Sequence, residues 1–409
     1  MNNYTMNTYE VKRDLLKFSK NMSENVGKST TKFVMDMQYG LAKSGSCLIS
    51  EISRALGEKI KLSYTIERLC NNLSNMYDDE RNIIWSNYLE EVKKNIDINN
   101  AVVLFDDSDI NKEYSKKLED LDRVIDASSQ DKRIVNGYHV CEAAILTKNE
   151  KQPISIYSQI YSCKSSNFES KNKYTIESIK AAENLVGNKF IGIFDRGYDD
   201  NKIFKYMSEN KHQFVIRLDD ERTLLFKGKK RNVGEVAKTR KGKIKMTALF
   251  DDNEEIKLML SYTKAKLPYN KKEYTLIIVY GLSEEKPMKL LTNVAVKEKE
   301  DVIKTVRLYL SRWRIEEHFR GKKQEYDFEN MRIRTLKAMN NLNMMLTMHL
   351  GYISMLAEQI DNRLLTLKII YASKSLKQKA IVWLSQIARG IKNILAYALK
   401  VLRNGKRLK

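Results

Sequence analysis

Four polar residues in the C-terminal third of the chain stand at spacings of three, four and seven: Tyr309, Arg312, Glu316 and Lys323. On a continuous α-helix, which turns about 100° per residue, these side chains fall within a wedge of roughly 60°. One stripe then presents a phenol, a guanidinium, a carboxylate and an ammonium. A carboxylate among cations suits a site that holds a metal ion and a phosphate at once.

The alternative to a site is a solvated helix face, because charged residues at helical spacing usually form surface ion pairs. Apolar residues flank the stripe on both sides: Leu308, Leu310, Trp313 and Phe319. These neighbours favour a partly buried stripe. The choice between the two interpretations therefore depends on the rest of the chain.

Two aspartates are the candidate partners of Glu316. Asp107 follows the apolar run 101–105, and Asp195 follows the apolar run 190–194. Side chains at the carboxyl ends of central strands collect where ligands bind. If the two strands are neighbours, the three carboxylates can hold two Mg²⁺ ions, one activating the attacking water or 3′-hydroxyl and the other stabilising the leaving oxygen.

Neighbouring acids compete with this choice. Asp106 and Asp109 are alternatives to Asp107, but Asp106 points to the opposite face of a strand that continues that far. Glu317 is an alternative to Glu316, but it lies about 100° away from the stripe. Asp107 and Glu316 are the expected ligands, and Asp109 stays an alternative to Asp107.

The charge of the chain predicts a polyanionic partner. Lys and Arg number 73 against 52 Asp and Glu among 409 residues, which gives a formal net charge of +21. Nucleic acid is the first candidate, although a membrane surface or ribosomal RNA also fits the charge. With 42% hydrophobic residues the chain is a folded protein that can contain two to four domains, and only three prolines favour helix-rich structure.

The cysteines and the apolar runs of the sequence indicate in which compartment of the cell the protein acts. Cys47, Cys70, Cys141 and Cys163 are far apart and match no zinc-binding spacing. So few thiols, without a signal peptide, predict a reducing cytoplasm. The apolar stretch 342–357 is short for a membrane span, so we expect a buried core helix and no membrane partner.

The first 97 residues are predicted to be helical. Apolar residues recur every three or four positions in segments 30–43, 46–57, 59–76 and 79–96. Segments 46–57 and 63–75 resemble a helix-turn-helix, and an ordinary helical bundle fits them equally well. In either case four basic residues are candidate phosphate contacts: Arg54, Lys59, Lys61 and Arg68.

From about residue 100 the pattern changes to alternating strands and helices. Strands are predicted at 101–105, 134–147, 154–162, 190–194 and 213–218, and helices at 174–187 and 200–209. This order, followed by a later carboxylate-bearing helix, is that of the ribonuclease H-like fold. The predicted fold class is a mixed α/β ribonuclease H-like catalytic core with a β-rich insertion and α-helical N- and C-terminal regions.

The predicted insertion, residues 219–300, contains short β runs at 256–262, 274–280 and 289–293. It carries the densest basic cluster of the chain: Lys227, Lys229, Lys230, Arg231, Lys238, Arg240, Lys241, Lys243 and Lys245. The size of the cluster favours contact with a duplex backbone over a solvated hairpin.

The predicted domains follow from these patterns. They are a helical DNA-binding region (1–98), a catalytic domain split into 99–218 and 301–365, the insertion (219–300) and a basic helical region (366–409). Segment 376–402 is predicted to form a basic amphipathic helix.

The sequence resembles the DDE-type cut-and-paste transposases of the insertion-sequence-four group. That group has the signature Tyr-x2-Arg-x3-Glu-x6-Lys, which the four residues of the stripe match at every spacing. Asp107-Ser108 resembles the group's first aspartate, and the segment from Asp195 to Tyr198 resembles the Asp-Arg-Gly-aromatic motif around the second. A β-rich insertion before the glutamate is also a feature of the group. The resemblance covers residues 100–350 well and the N-terminal region more loosely.

The resemblance implies an enzyme that cleaves double-stranded DNA at transposon ends and transfers the strand into target DNA. It implies two Mg²⁺ ions, for which Mn²⁺ can substitute, a hairpin at the excised ends and a homodimer in the DNA complex, in a bacterial, nucleoid-associated setting. Asp107, Asp195 and Glu316 would be the catalytic metal ligands. The residues expected to bind phosphate or DNA are Tyr309, Arg312, Lys323, Arg196, Lys229, Lys230, Arg231, Arg240 and Lys241.

One feature of some relatives, a tryptophan in the insertion, is absent from this sequence. Some relatives hold a flipped base with a tryptophan of the insertion, but Trp85, Trp313 and Trp383 lie outside it. Tyr262 or Tyr269 would have to take the place of that tryptophan, or the hairpin step differs in this protein.

Two other functions also fit the residues. One is a ribonuclease H-like nuclease without strand transfer, and the other is a transposase-derived DNA-binding protein without catalysis. The intact carboxylates count against the DNA-binding protein without catalysis.

Overall fold

The computed structural model describes residues 3–126, 131–149, 151–249, 255–270, 272–283, 286–360, 363–374 and 383–405. These residues form two compact units. The first, here called the helical unit, comprises Met1–Asp97, Asp107–Ser170 and Glu316–Lys409. The second, here called the sheet unit, comprises Ile98–Asp106 and Lys171–Ile315.

The helices, in chain order, are α1 (Asn3–Met22), α2 (Lys28–Ser44), α3 (Ile49–Leu56), α4 (Leu62–Asn75), α5 (Asp78–Lys94), α6 (Lys171–Val186), α7 (Asn201–Glu209), α8 (Val233–Lys238), α9 (Lys299–Leu310), α10 (Trp313–Arg320), α11 (Leu336–Glu358), α12 (Leu364–Ala372) and α13 (Leu384–Gly405). The strands are β1 (Ala101–Asn111), β2 (Asp122–Ile125), β3 (Ile134–Leu146), β4 (Pro153–Tyr161), β5 (Phe190–Phe194), β6 (Gln213–Arg217), β7 (Thr223–Phe226), β8 (Lys229–Asn232), β9 (Ile244–Leu249), β10 (Glu255–Lys266), β11 (Glu273–Tyr280) and β12 (Met288–Thr292).

Two of the N-terminal helices, α2 and α3, end at a glycine with left-handed backbone. Gly45 after α2 has φ 60° and Gly57 after α3 has φ 64°, conformations that favour glycine because it lacks a Cβ. The predicted helices of this region are confirmed with ends shifted by a few residues. Their apolar faces, for example Val34, Leu41 and Ile52, are fully buried.

Helix α11 is the buried core helix predicted for segment 342–357, in which every residue is buried. Its His349 donates through Nδ1–H to Gln38 Oε1 at 3.2 Å and accepts at Nε2 from the Tyr326 hydroxyl at 2.9 Å. Burial lowers the pKa of His349 to about 3, so the ring is neutral. Across the part of the chain that the structure describes, helices with both the length and the apolar character for a bilayer span are absent.

In the sheet unit the strands follow the order β1-β5-β6-β12-β11-β10-β7-β8. Strand β1 pairs in parallel with β5, with Ala101 opposite Phe190 and Phe105 opposite Phe194. Strand β5 pairs in parallel with β6, and the later pairs are antiparallel. The predicted neighbourhood of runs 101–105 and 190–194 is confirmed.

The helical unit contains the antiparallel neighbours β2, β3 and β4. The end of β1, from Asp107 onwards, belongs to this unit. After it, the N–H of Lys112 donates to Asn136 O at 2.6 Å. The three predicted early strands are β1, β3 and β4, and the parallel strands β5 and β6 follow them in the predicted order. The mixed α/β class with helical N- and C-terminal regions is therefore confirmed.

Several local predictions were incomplete or wrong. The sequence pattern missed the short strands β2, β7, β8 and β9 and helix α8. A single helix over 376–402 is wrong, since Trp383 is not helical and α13 begins at Leu384. Residues 376–382 of that segment lie outside the described residues. The predicted domain boundaries stay a prediction.

Candidate active site

Two aspartates follow the paired ends of β1 and β5 in the sheet unit. The rings of Phe105 and Phe194, which lie opposite each other, stack with centroids 4.4 Å apart and planes 4° apart. Asp106 comes directly after the first and Asp195 directly after the second. Because side chains alternate along a strand, both aspartates leave the face on which the two rings stack.

Two residues of the signature contact these aspartates. The Tyr309 hydroxyl donates to Asp195 Oδ1 at 3.0 Å. The Arg312 guanidinium Nη1 donates to Asp106 Oδ2 at 3.0 Å, and both side chains of this ion pair are less than one-fifth exposed. Arg217 Nη1 lies 3.5 Å from Asp195 Oδ1. The sheet unit therefore concentrates two carboxylates, two guanidinium groups and a phenol at one strand edge.

The charges at this edge fix the protonation of Asp195 and Tyr309. Burial works to raise the pKa of Asp195, but the Arg312 charge, the Arg196 N–H and the Tyr309 hydroxyl hold that pKa below its ordinary value. Burial and the negative charge of Asp195 raise the pKa of Tyr309 above its ordinary value. Asp195 is therefore an ionised carboxylate, and Tyr309 is a neutral hydroxyl that donates to it.

The signature does not lie on one regular helix, so the predicted wedge of roughly 60° is wrong. Helix α9 ends at Leu310 and α10 begins at Trp313. Between them Arg312 N bonds Tyr309 O at 3.0 Å, a tighter three-residue bond that changes the angle between successive side chains. From Gly321 to Glu325 the backbone is π-helical, which shifts Lys323 again.

The remaining signature residues lie in the helical unit with Asp107. Asp107, on β1, and Glu316, in the first turn of α10, are both exposed. Lys323 Nζ lies 3.2 Å from Glu329 Oε1 and 3.7 Å from Asp109 Oδ2. The structure thus places Lys323 among carboxylates, beside the segment of β1 that carries Asp107.

Asp109 is less exposed than Asp107 and Glu316, and its pKa is raised. Burial, together with the nearby charges of Glu329 and Asp126, raises its pKa despite the opposing charge of Lys323. A carboxyl group that resists ionisation is a poor ligand for a divalent cation. This difference supports the choice of Asp107 over Asp109.

A fully buried ion pair anchors the segment that carries Glu316 and Lys323. Lys322 Nζ donates to Glu142 Oε2 at 2.7 Å and to Oε1 at 2.9 Å. Further acceptors of Lys322 are Ser158 Oγ, Asn343 Oδ1 and Thr347 Oγ1 at 3.0–3.3 Å. His318 Nε2 lies 2.8 Å from Glu142 Oε1.

Burial opposes the ionised form of each member of this pair. It lowers the pKa of Lys322. It also works to raise the pKa of Glu142, yet the charges of Lys322 and His318 hold that pKa below its ordinary value. Sequence reasoning missed this network, although one signal was available: Glu142 is the only acidic residue of β3 and is flanked by the apolar residues Cys141 and Ala143, and a buried charge requires a partner.

The predicted DNA-binding residues fall into two groups. Lys229, Lys230 and Arg231 lie exposed on β8, the last strand in the order of the sheet unit, and Lys241 is also exposed. Arg240 is half-buried, and its Nη2 donates to Tyr262 O at 2.5 Å. The exposed group is therefore better placed than Arg240 to meet a phosphate backbone.

Two further basic predictions concern surface positions. The Arg196 side chain is 60% exposed, and its Nε lies 3.9 Å from Asp219 Oδ2. Arg68, on α4, forms ion pairs with Asp36 Oδ2 at 2.9 Å and with Glu58 Oε1 at 3.0 Å. Contact of either residue with DNA stays a prediction.

Comparison with known proteins identifies one family. A family model described as the transposase DDE domain matches residues 143–350, just over half of the chain. Curated protein sequences give no significant match. Among solved structures, a piggyBac transposase in a cryo-EM synaptic complex with hairpin DNA aligns over 99% of this chain and 84% of that chain, at 12% identity and a TM-score of 0.46.

Proposed function

We propose that this chain, which belongs to the transposase DDE domain family, cuts DNA at transposon ends and transfers the cut strand into target DNA. The observation that carries the proposal is the contact of Tyr309 with Asp195 and of Arg312 with Asp106 at the ends of two parallel strands. Phosphate-binding groups beside carboxylates are what metal-dependent phosphoryl transfer requires. The match of Tyr309, Arg312, Glu316 and Lys323 to the insertion-sequence-four signature supports assignment to that group.

The proposed metal ligands are Asp107, Asp195 and Glu316. Enzymes of this family typically use divalent metal ions, and oxygen ligands of this kind suit two Mg²⁺ or Mn²⁺ ions. Bound metal ions would polarise the scissile phosphate and lower the pKa of the attacking water or hydroxyl. The ionised state of Asp195 and the exposure of the other two acids support this assignment.

The cationic residues and the phenol have a separate role. Tyr309, Arg312 and Lys323 would hold the phosphate that carries the scissile bond, since each presents N–H or O–H donors. The exposed cations of β8, together with Arg196 and Lys241, would bind the flanking duplex through its phosphates. Arg240, whose guanidinium is bonded within the fold, would contribute less.

Three finer features rest on the resemblance to the insertion-sequence-four group. They are a hairpin at the excised ends, a homodimer in the DNA complex and a bacterial, nucleoid-associated setting. If a base is flipped, Tyr269 is the better candidate to hold it, because its side chain is 43% exposed.

Nicking of DNA that carries the element's own terminal repeats tests the proposal. We expect Asp107→Asn, Asp195→Asn and Glu316→Gln to lower the metal-dependent nicking rate by at least about a thousandfold while DNA binding is retained. A bound metal ion lowers the activation free energy by several kcal/mol, and each 1.4 kcal/mol or so of activation free energy changes the rate about tenfold. Glu317→Gln is the matched control, because that side chain pairs with Arg320 and should leave the rate within a few-fold of wild type.

Wild-type nicking rates in all three variants would overturn the site assignment. A nuclease without strand transfer would show the same losses in the three variants. It is distinguished by supplying a pre-cut transposon end together with target DNA, because only a transposase joins them.

A further inference from the structure

Three potential metal ligands meet in the helical unit, outside the carboxylate site. Asp122 is the first residue of β2, His139 lies on β3, and Cys163 follows the end of β4 by two residues. One ligand atom from each lies within 4.8 Å of the other two. His139 Nε2 and Asp122 Oδ2 are 3.9 Å apart.

These separations are close to those of a tetrahedral zinc site. Zn²⁺ binds sulfur at about 2.3 Å, imidazole nitrogen at about 2.0–2.1 Å and carboxylate oxygen at about 2.0–2.2 Å. Tetrahedral bonds of these lengths place neighbouring ligand atoms roughly 3.3–3.6 Å apart. Rotation of the Cys163 side chain and a shift of a few tenths of an ångström elsewhere would complete the triangle.

The backbone around Cys163 is fixed to the segment that precedes β2. The Cys163 N–H donates to Asp122 Oδ2 at 2.7 Å. Ser162 Oγ donates to Asp120 O at 2.6 Å, and Lys164 Nζ donates to Leu121 O at 2.8 Å. Two of the three ligands are therefore held together by a short network independent of any ion.

The histidine ring and the carboxylate are oriented as well. The His139 ring stacks on Tyr161 with centroids 5.2 Å apart, and Tyr161 stacks on Phe168. The Arg123 N–H donates to Asp122 Oδ1 at 2.8 Å. An imidazole and a carboxylate that are held in place by other contacts are what a metal site needs before an ion arrives.

We propose that Asp122, His139 and Cys163 bind a zinc ion. The mixture of thiolate, imidazole and carboxylate favours Zn²⁺ over the hard cations Mg²⁺ and Ca²⁺, which prefer oxygen alone. Cys163 is exposed, so solvent or an added ligand can take the fourth position. The ion would tie β2, β3 and the segment after β4 together, and it is separate from the divalent ions of the proposed reaction.

Cobalt and zinc titrations of the full-length chain, purified without an affinity tag and stripped with a chelator, test this proposal. We expect Co²⁺ to give a near-ultraviolet thiolate-to-metal absorption band, which one equivalent of Zn²⁺ removes and a large excess of Mg²⁺ does not. Cys163→Ser should abolish the band. His139→Ala and Cys163→Ser should each weaken zinc binding at least about 100-fold, since loss of even an outer partner costs about 10–100-fold.

Two control variants test the origin of the absorption band. One shows whether the thiol of Cys163 produces it, and the other shows whether it is independent of the proposed carboxylate site. Cys70→Ser removes a thiol elsewhere on the chain and should keep the band. The Asp195→Asn/Glu316→Gln double variant should also keep it, so the outcome is independent of the proposed function. Zinc should raise the Tm of wild type but not that of Cys163→Ser. Failure of wild type to bind zinc at micromolar concentration, or unchanged affinity in folded Cys163→Ser, would overturn the proposal.

Discussion

At the scale of single residues, the adjacent acids Asp106 and Asp107 have different environments. Asp106 is 17% exposed and paired with Arg312, whereas Asp107 is exposed. Asp106 therefore positions Arg312, whereas the proposed role of Asp107 as a metal ligand rests on the resemblance of Asp107-Ser108 to the first aspartate of the insertion-sequence-four group.

Substitution of the two acids should separate these roles. We expect Asp107→Asn to abolish metal-dependent nicking and Asp106→Asn to lower the rate by only about tenfold, which corresponds to about 1.4 kcal/mol. Rates measured over a range of Mn²⁺ concentration should show weakened metal affinity for Asp107→Asn alone. The reverse ranking would exchange the two roles.

Arg312 should also control the acid side of the pH profile. Its charge helps to hold the pKa of Asp195 below the ordinary value, so Arg312→Gln should raise that pKa. The acid limb of the nicking rate should then move to higher pH, in addition to any loss of phosphate binding. The same depressed pKa stabilises the fold above the unfolded-state pKa of about 3.9, and this contribution is lost as pH falls through the folded value.

A pH–rate profile of wild type and Arg312→Gln measures this effect, with Arg320→Gln as a control at an exposed position. An acid limb that does not move would show that Arg312 does not set the ionisation of Asp195. The sequence alone predicted that Arg312 belongs to the site. It could not predict the partner, because the choice between Asp106 and Asp107 depends on the register of β1 with β5.

At the scale of elements, the segment that carries the signature is held by buried charge. The π-helical turn Gly321–Glu325 places Lys322 where five acceptor atoms surround its ammonium group, while Lys323 points to Asp109 and Glu329. Burial of an ion pair is costly, and removal of one partner leaves the other charge unpaired. This network therefore fixes the orientation of the segment.

Lys322→Met should destabilise the protein by about 3–5 kcal/mol, because Glu142 is left buried without its main partner. Arg320→Met, on the same segment but half exposed, should cost less than about 1 kcal/mol. Denaturant unfolding of both variants provides the comparison. Equal stability of the two variants would contradict an anchoring role for Lys322.

The elements that the sequence predicted well are those with a strong apolar pattern. Four of the five residues of strand β5 and residues 338–357 of helix α11 are buried, and their apolar runs gave their positions directly. Strand β8 has three exposed cations in four residues and no apolar signal. The break at Ser311 has neither glycine nor proline, so nothing in the local sequence predicted the end of α9.

At the scale of the whole molecule, the net charge of +21 belongs to a folded chain rather than to a basic tail. The cations of β8 lie at the end of the strand order in the sheet unit. Charged side chains on an edge strand also prevent pairing with another sheet. DNA binding and protection of the edge are therefore two roles that fit the same residues.

Salt dependence of DNA binding distinguishes the two roles. We expect the triple variant Lys229→Gln/Lys230→Gln/Arg231→Gln to bind DNA more weakly. The slope of log K, the DNA association constant, against log salt concentration should fall by up to about 2.7, at about 0.9 per phosphate contact. Lys93→Gln/Lys94→Gln is the control, because these residues on α5 pair with Glu90 and Glu91. An unchanged slope with a rise in aggregation would favour edge protection alone.

The most direct test of the proposed transposase activity is strand transfer from a pre-cut transposon end into target DNA, measured with Mg²⁺ or Mn²⁺. We expect a covalent joint product with wild type and with Glu317→Gln. We expect none with Asp195→Asn, although that variant still binds the end. A wild-type protein that nicks DNA but never joins the pre-cut end, or an Asp195→Asn variant that joins it at the wild-type rate, would contradict the proposed activity.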